Sequence, residues 1–153
     1  MSKVNEGITK KFSELYGELD NLYESFFELV KIQYNQITGE QYEDLLETLT
    51  KKQDLINEIE RINKKLKYLE QQFQNLDDFS KKEIFQVYEH YRNIIKTKIL
   101  EIKKKEDKNK ELLNKSIKKI TDDINYIKKG RKTLYAYNIP PHELEPRFID
   151  KKR

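Results

Sequence analysis

Apolar residues recur every three or four positions along most of the chain and form three long stripes. This spacing places each stripe on one face of a helix, so it predicts three amphipathic helices. They cover about residues 4–37, 41–76 and 80–129. Because the connections between them are short, consecutive helices should be antiparallel neighbours. We therefore expect an all-α fold, an antiparallel three-helix bundle or coiled coil with a long third helix.

Local signals suggest where two of the helices end and begin. Gly39 follows the first stripe and is a natural left-handed cap for that helix. Ser80 and Glu83 have the spacing of a capping box, in which hydroxyl and carboxylate each accept a hydrogen bond from a free backbone amide. Phe79 and Ile84 flank this box at hydrophobic staple positions. The sequence therefore predicts a helix that begins at Ser80.

The third stripe is interrupted by polar residues near Glu106 and Asn109. Counting antiparallel from the turn before this helix places them opposite Lys51 and Lys52, where the second stripe is polar too. A buried lysine paired with Glu106 or Asp107 would fix the register of the helices at a cost in stability. The alternative is a frayed, solvated stretch that merely stays helical. The sequence alone leaves both open.

The third helix is predicted to be longer than the other two, so its last turns have no internal partner. An apolar strip without a partner predicts a surface for another helix. The predicted partner-binding residues of this strip are Leu113, Ile117, Ile120, Ile124 and Ile127, together with Tyr23, Phe27 and Tyr34 from a second face of helix one. A homodimer formed through the same strip stays open.

The composition changes after Gly130, which we expect to end the third helix. Residues 131–153 contain all three prolines of the chain together with several apolar side chains, so they predict an extended C-terminal arm. This divides the chain into a helical bundle over 1–130 and a tail over 131–153. The arm could cover the apolar strip, cross to a second protomer or bind a partner.

The charge of the chain is unevenly distributed along its 153 residues. The net charge is +4, but residues 1–79 carry −6 and residues 80–132 carry +9. A basic third helix raises nucleic acid as a partner. The favoured interpretation is that this helix lies beside two acidic ones and matches their charge. Weak nucleic-acid binding therefore stays an alternative function and not the main one.

The sequence contains few residues that could support catalysis. It has no cysteine, its four glycines are isolated, and His90 and His142 lie on different elements without visible ligand partners. We expect no metal, no cofactor and no enzyme activity. No signal peptide and no run of eighteen apolar residues is visible, which predicts a soluble cytoplasmic protein.

Two parts of the chain resemble a known family when they are taken together. In residues 43–62, leucines and acids lead to Lys52-Gln53 and then to a Leu-Ile pair, which resembles the second-helix signature of flagellar export chaperones of the FlgN/FliT type. Residues 127–138 and 148–153 are similar to the tail of Gram-positive members. The polar interruption in the third helix also lies where those proteins have one.

The resemblance implies a small cytoplasmic all-helical chaperone for late flagellar export substrates, the hook-associated or filament-cap proteins. It implies that the C-terminal region grips the client's amphipathic C-terminal helix and presents the client to the export gate. Tail tyrosines of the family are linked to gate docking, which suggests Tyr135 or Tyr137 here. The prolines argue against the autoinhibitory fourth helix of some relatives. A structural coiled-coil adaptor that dimerises without a client is the alternative.

Overall fold

Three α-helices make up almost all of the part of the chain that is described. The computed structural model describes residues 2–136, and at 133–136 it describes the backbone alone. The helices are α1 (Lys3–Thr38), α2 (Tyr42–Gln74) and α3 (Asp78–Ala136), with no strand within residues 2–136. The all-α prediction is confirmed. Most of the predicted arm, residues 137–153, lies outside the described residues.

The chain divides into two compact units, Met1–Leu112 and Leu113–Arg153. Within the first unit, the hydrogen bonds that join α1 to α3 advance together along both helices. They link Asn5 Nδ2 to Ser80 Oγ at 2.9 Å, the hydroxyls of Ser13 and Tyr91 at 2.9 Å, and Asn109 Nδ2 to the carbonyl of Val30 at 3.0 Å. Contacts of α2 with α3 run the opposite way, through Glu70–Tyr88 and then Lys52–Glu106. The helices therefore run up, down and up.

A cluster of rings, which we call the aromatic layer, joins the three helices near the start of α1. Phe12 is fully buried, and its ring meets Tyr88 edge-on with the centroids 5.4 Å apart. Edge-to-face pairs of this kind add to the stability that burial of the rings supplies. The layer consists of Phe12, Tyr16, Phe73, Tyr88 and Tyr91.

The first helix ends with its left-handed residue one position later than predicted. Gly39 has φ −86°, and Glu40 has φ 56°. The N–H groups of Glu40 and Gln41 donate to the carbonyls of Ile37 and Gln36 at 3.2 and 2.8 Å, so the last carbonyls of α1 are satisfied. The prediction of a left-handed cap at Gly39 was wrong, because Gly39 keeps a negative φ and the next residue, Glu40, adopts the left-handed conformation.

The third helix begins before the predicted capping box. The carboxylate of Asp77 accepts from the N–H of Ser80 at 2.8 Å, which makes Asp77 the cap of α3. Ser80 Oγ and Glu83 Oε2 instead accept from the Asn5 amide at 2.9 and 3.3 Å. Phe79 is 71% exposed and forms no staple. The predicted capping box was wrong, because its two side chains bind across to α1.

The third helix also continues past its predicted end. It runs through Gly130 to Ala136 without interruption. A glycine inside a helix costs about 1 kcal/mol relative to alanine, and it ends a helix when it adopts a left-handed conformation. No glycine within the described residues has a positive φ. The prediction that Gly130 ends the helix, and that the arm begins there, was wrong for residues 131–136.

Candidate partner-binding surface

The five predicted strip residues lie on α3 at helical steps of three and four. Ile117 is 53% exposed and Ile120 is 38% exposed, whereas Leu113, Ile124 and Ile127 are partly buried. Because successive members are three or four residues apart on one continuous helix, their side chains share one face. This segment therefore carries a helical apolar strip of about four turns whose two central isoleucines are accessible.

The predicted aromatic residues of α1 lie in different surroundings. Tyr23 is partly buried and lines a groove between α2 and α3, and burial raises the pKa of its hydroxyl. Tyr34 is more exposed and lines a smaller groove of about 380 Å³ between α1 and α3. The structure thus places Tyr23 and Tyr34 in separate grooves and not in one continuous patch.

Lysines lie over the rings of Phe27 and Tyr34. The ammonium groups of Lys31 and Lys105 lie 4.6 and 5.4 Å from the centroid of the Phe27 ring. The ammonium of Lys108 lies 5.3 Å from the centroid of the Tyr34 ring. Cations over aromatic faces are weakly attracted to them. This part of the surface therefore combines aromatic area with positive charge.

The predicted polar interruption forms a buried cluster, which we call the polar layer. Lys52 is buried, and its ammonium donates to Gln33 Oε1 at 2.8 Å and to the carboxylate of Glu106. Asn109 is fully buried and donates to the carbonyl of Val30 at 3.0 Å. The prediction of a buried lysine paired with Glu106 is confirmed, and the alternative of a solvated, frayed stretch was wrong.

A further ion pair joins α3 to α1 between the two layers. The ammonium of Lys98 lies 2.5 Å from a carboxylate oxygen of Asp20 and 2.7 Å from one of Glu24. Partial burial acts to lower the pKa of Lys98, but its hydrogen bonds with both carboxylates outweigh that effect and raise the pKa. The basic third helix and the acidic first helix are thus charge-matched here, as their composition predicted.

A groove with a volume of about 600 Å³ lies between α2 and α3. The backbones of α1 and α2 pack closely against each other. The backbones of α2 and α3 approach each other less closely, which leaves room for this groove. The groove is lined by Tyr16, Leu19 and Tyr23 of α1, by Asn63, Leu66, Lys67 and Glu70 of α2, and by Arg92, Ile95, Lys96, Ile99 and Leu100 of α3.

Sequence reasoning missed this groove, although one signal was present. Ile99 belongs to the α3 stripe, but Leu100 lies about 100° further round the helix and is 58% exposed. A large apolar residue beside the stripe widens the apolar face beyond what one neighbouring helix covers. The adjacent pair Ile99-Leu100 was the observation that could have indicated an open groove here.

The predicted gate-docking tyrosines cannot be placed in a site. Tyr135 lies within α3, but its side chain is not among those described, and Tyr137 lies outside the described residues. Within residues 2–136, no three His, Cys, Asp or Glu side chains are grouped so that they could hold a metal ion. No helix of the described chain is long and apolar enough to cross a membrane.

Comparison with known proteins identifies the family. No curated protein and no solved structure matches the chain significantly. The family model described as FlgN protein matches residues 1–139, which is most of the chain. That match includes α1, α2 and the whole described length of α3, with both the polar layer and the apolar strip. The chain therefore belongs to the FlgN family of flagellar export chaperones.

Proposed function

We propose that this chaperone grips the amphipathic helical C-terminus of a late flagellar substrate, a hook-associated or filament-cap protein, and presents it to the export gate. The grip is the apolar strip Leu113–Ile127 of α3. In this proposal the protein acts in the cytoplasm, because the substrates of such a chaperone are met there before export.

The exposure of Ile117 and Ile120 is the observation that carries this proposal. Two large aliphatic side chains on one face of a helix, with flanking Leu113, Ile124 and Ile127, match the i, i+3/i+4, i+7 pattern of helix-in-groove recognition. Exposed aliphatic residues in such an array lose hydration when a partner helix covers them, which favours binding. Membership of a family of flagellar export chaperones supports the expectation of a protein client.

The tail is proposed to contact the export gate. Tyr135 and Tyr137 follow the strip closely in sequence and are the tyrosines available near the end of α3. Tyrosine suits a docking role because its ring supplies rigid apolar area and its hydroxyl can form one hydrogen bond.

The test is a double substitution, Ile117→Asp with Ile120→Asp. Both side chains are exposed, so the thermal unfolding midpoint and the far-UV circular dichroism should stay nearly unchanged. Two carboxylates on the strip would have to be desolvated by an apolar client helix, which is unfavourable. We expect at least a hundredfold loss of affinity for C-terminal peptides of the hook-associated and filament-cap proteins of the same organism, measured by fluorescence anisotropy.

The matched control is Asn114→Asp with Asn125→Asp, which adds the same two charges on another face of the same segment. This control should bind the peptides within about threefold of the natural chain, since exposed surface charges contribute little. Equal peptide binding by all three proteins would contradict the proposed grip. Sedimentation across a concentration series separates the adaptor alternative, which requires a stable dimer that the Ile117→Asp and Ile120→Asp changes dissociate.

A further inference from the structure

The groove between α2 and α3 is separate from the proposed client strip and has its own chemistry. Its floor is formed by buried or partly buried side chains of the three helices, among them Leu19, Leu66 and Ile95. Ile99 and Leu100 stand exposed on its α3 wall. Burying such apolar side chains under a partner is favourable. The groove therefore offers an apolar seat within residues 2–112.

The rim of this groove carries positive charge on both walls. Lys67 projects from α2 and Lys96 from α3, both exposed, and neither forms an ion pair with any residue that the structure describes. Arg92 adds a third cation, 3.7 Å from Glu89. The acid on the rim, Glu70, accepts a hydrogen bond from the Tyr88 hydroxyl at 3.0 Å and faces the aromatic layer.

The dimensions of the groove suit a short helix. Its lining residues span Asn63–Glu70 on α2 and Arg92–Leu100 on α3, which is about two helical turns, or ~12 Å, on each wall. An occupant of three to four turns could place apolar side chains at i, i+4 and i+7 on the floor. Its flanking positions would then lie beside Lys67 on one side and Lys96 on the other.

We infer that this groove is a second docking site, which seats an amphipathic helix with acidic flanks from a partner protein, independently of the strip Leu113–Ile127. The positive charge on the rim of the groove favours a helix whose flanking residues are acidic. Acidic flanks would pair with both unpaired lysines, whereas basic flanks would be repelled by three cations. The chain's own residues 137–153 do not fit, because they carry three prolines and four basic against three acidic residues.

A pair of synthetic peptides tests the inference. Both are 14-residue capped helices with leucine at i, i+4, i+7 and i+11 and alanine elsewhere. One carries glutamate on both flanks and the other carries lysine at the same positions. We expect the glutamate peptide to bind the full chain about tenfold or more tightly, measured by fluorescence anisotropy at low salt, and to lose this advantage at high salt. Methyl NMR shifts should centre on Ile95, Ile99 and Leu100.

Three variants locate the site. Lys67→Glu with Lys96→Glu should reverse the preference so that the lysine peptide binds more tightly. Lys65→Glu with Lys104→Glu makes the same charge change on the same two helices outside the groove and should leave the preference intact. Leu100→Asp should weaken both peptides at least tenfold, and its exposed position makes it compatible with folding.

Several outcomes would overturn the inference. They are equal affinity for the two peptides, no binding of either, or a loss of peptide binding in the Ile117→Asp, Ile120→Asp protein. A concentration-dependent dimer that Leu100→Asp dissociates would assign the groove to a second copy of the chain. Because the strip variants keep the groove intact and the groove variants keep the strip intact, failure here leaves the proposed client grip standing, and the reverse also holds.

Discussion

The aromatic layer and the polar layer hold α3 against the same two helices by opposite means. In the aromatic layer, rings such as Phe12 and Tyr16 are buried and meet at centroid distances of 5.4 to 6.3 Å. In the polar layer, Lys52 and Asn109 are buried and hydrogen-bonded. Burial of rings contributes directly to stability, whereas a buried ion pair offsets little more than its own desolvation.

The difference teaches that stability and register come from different places in this bundle. Apolar stripes on long helices can slide past one another by a heptad with modest loss of contact. A buried lysine has one carboxylate to meet, so a slipped register would leave Lys52 unpaired. We therefore expect the aromatic layer to supply most of the free energy of unfolding and the polar layer to select one alignment of α2 against α3.

The largest effect should come from removing a ring of the aromatic layer. Phe12→Ala deletes a fully buried side chain and leaves a cavity between three helices, which should lower the free energy of unfolding by about 4 kcal/mol. Urea unfolding followed by circular dichroism measures this loss. Val4→Ala, on the exposed face of the same helix, should cost less than about 0.5 kcal/mol. Similar losses in the two variants would contradict the assignment of stability to this layer.

The polar layer should respond differently to single and double changes. Glu106→Ala leaves Lys52 buried with Gln33 as its remaining partner and should cost about 2–3 kcal/mol. Lys52→Met with Glu106→Leu replaces the pair by apolar groups and should return the free energy of unfolding to within about 1 kcal/mol of the natural chain. The same urea titrations measure both.

An exposed pair on α2 provides the control for this cycle. Lys51 and Glu47 form a surface ion pair at 3.7 Å, and Glu47→Ala should cost less than about 0.5 kcal/mol. If the polar layer selects register, the Lys52→Met, Glu106→Leu protein should be stable yet give several sets of methyl NMR signals for Ile102 and Val30. A single sharp set in that protein would remove the register role while leaving its stability explained.

The helices and the polar layer could be predicted from the sequence because both depend on regular geometry. A period of 3.6 residues defines a face, and a rise of 1.5 Å per residue fixes which positions oppose each other in an antiparallel pair. That arithmetic placed Glu106 opposite Lys52, as found. Of the candidate site, the strip residues share a helix face as predicted, whereas Tyr23 and Tyr34 lie in separate grooves.

The wrong predictions concern features that depend on a residue distant in sequence or on a second capping residue nearby. Ser80 and Glu83 have capping-box spacing, but Asn5, 75 positions away from Ser80, binds both of them, and Asp77 caps the helix instead. No local pattern contains that partner. The groove likewise depends on how the three helices pack against one another, which no local pattern reports. Lys67 and Lys96 were therefore not recognised from the sequence as residues that line the same groove.

Apart from the control variants, the smallest effect is expected at the turn between α1 and α2, which belongs to neither layer. Glu40 adopts φ 56°, a left-handed conformation that costs a residue with a side chain about 1 kcal/mol relative to glycine. Glu40→Gly should therefore raise the free energy of unfolding by about 1 kcal/mol, whereas Glu40→Ala, which keeps a Cβ, should change it little. Lys52 lies twelve residues further along, or about 18 Å of helix, so the gain should add to the loss caused by Glu106→Ala. A gain from Glu40→Ala equal to that from Glu40→Gly would mean that the glutamate side chain, and not its backbone conformation, is unfavourable at this turn.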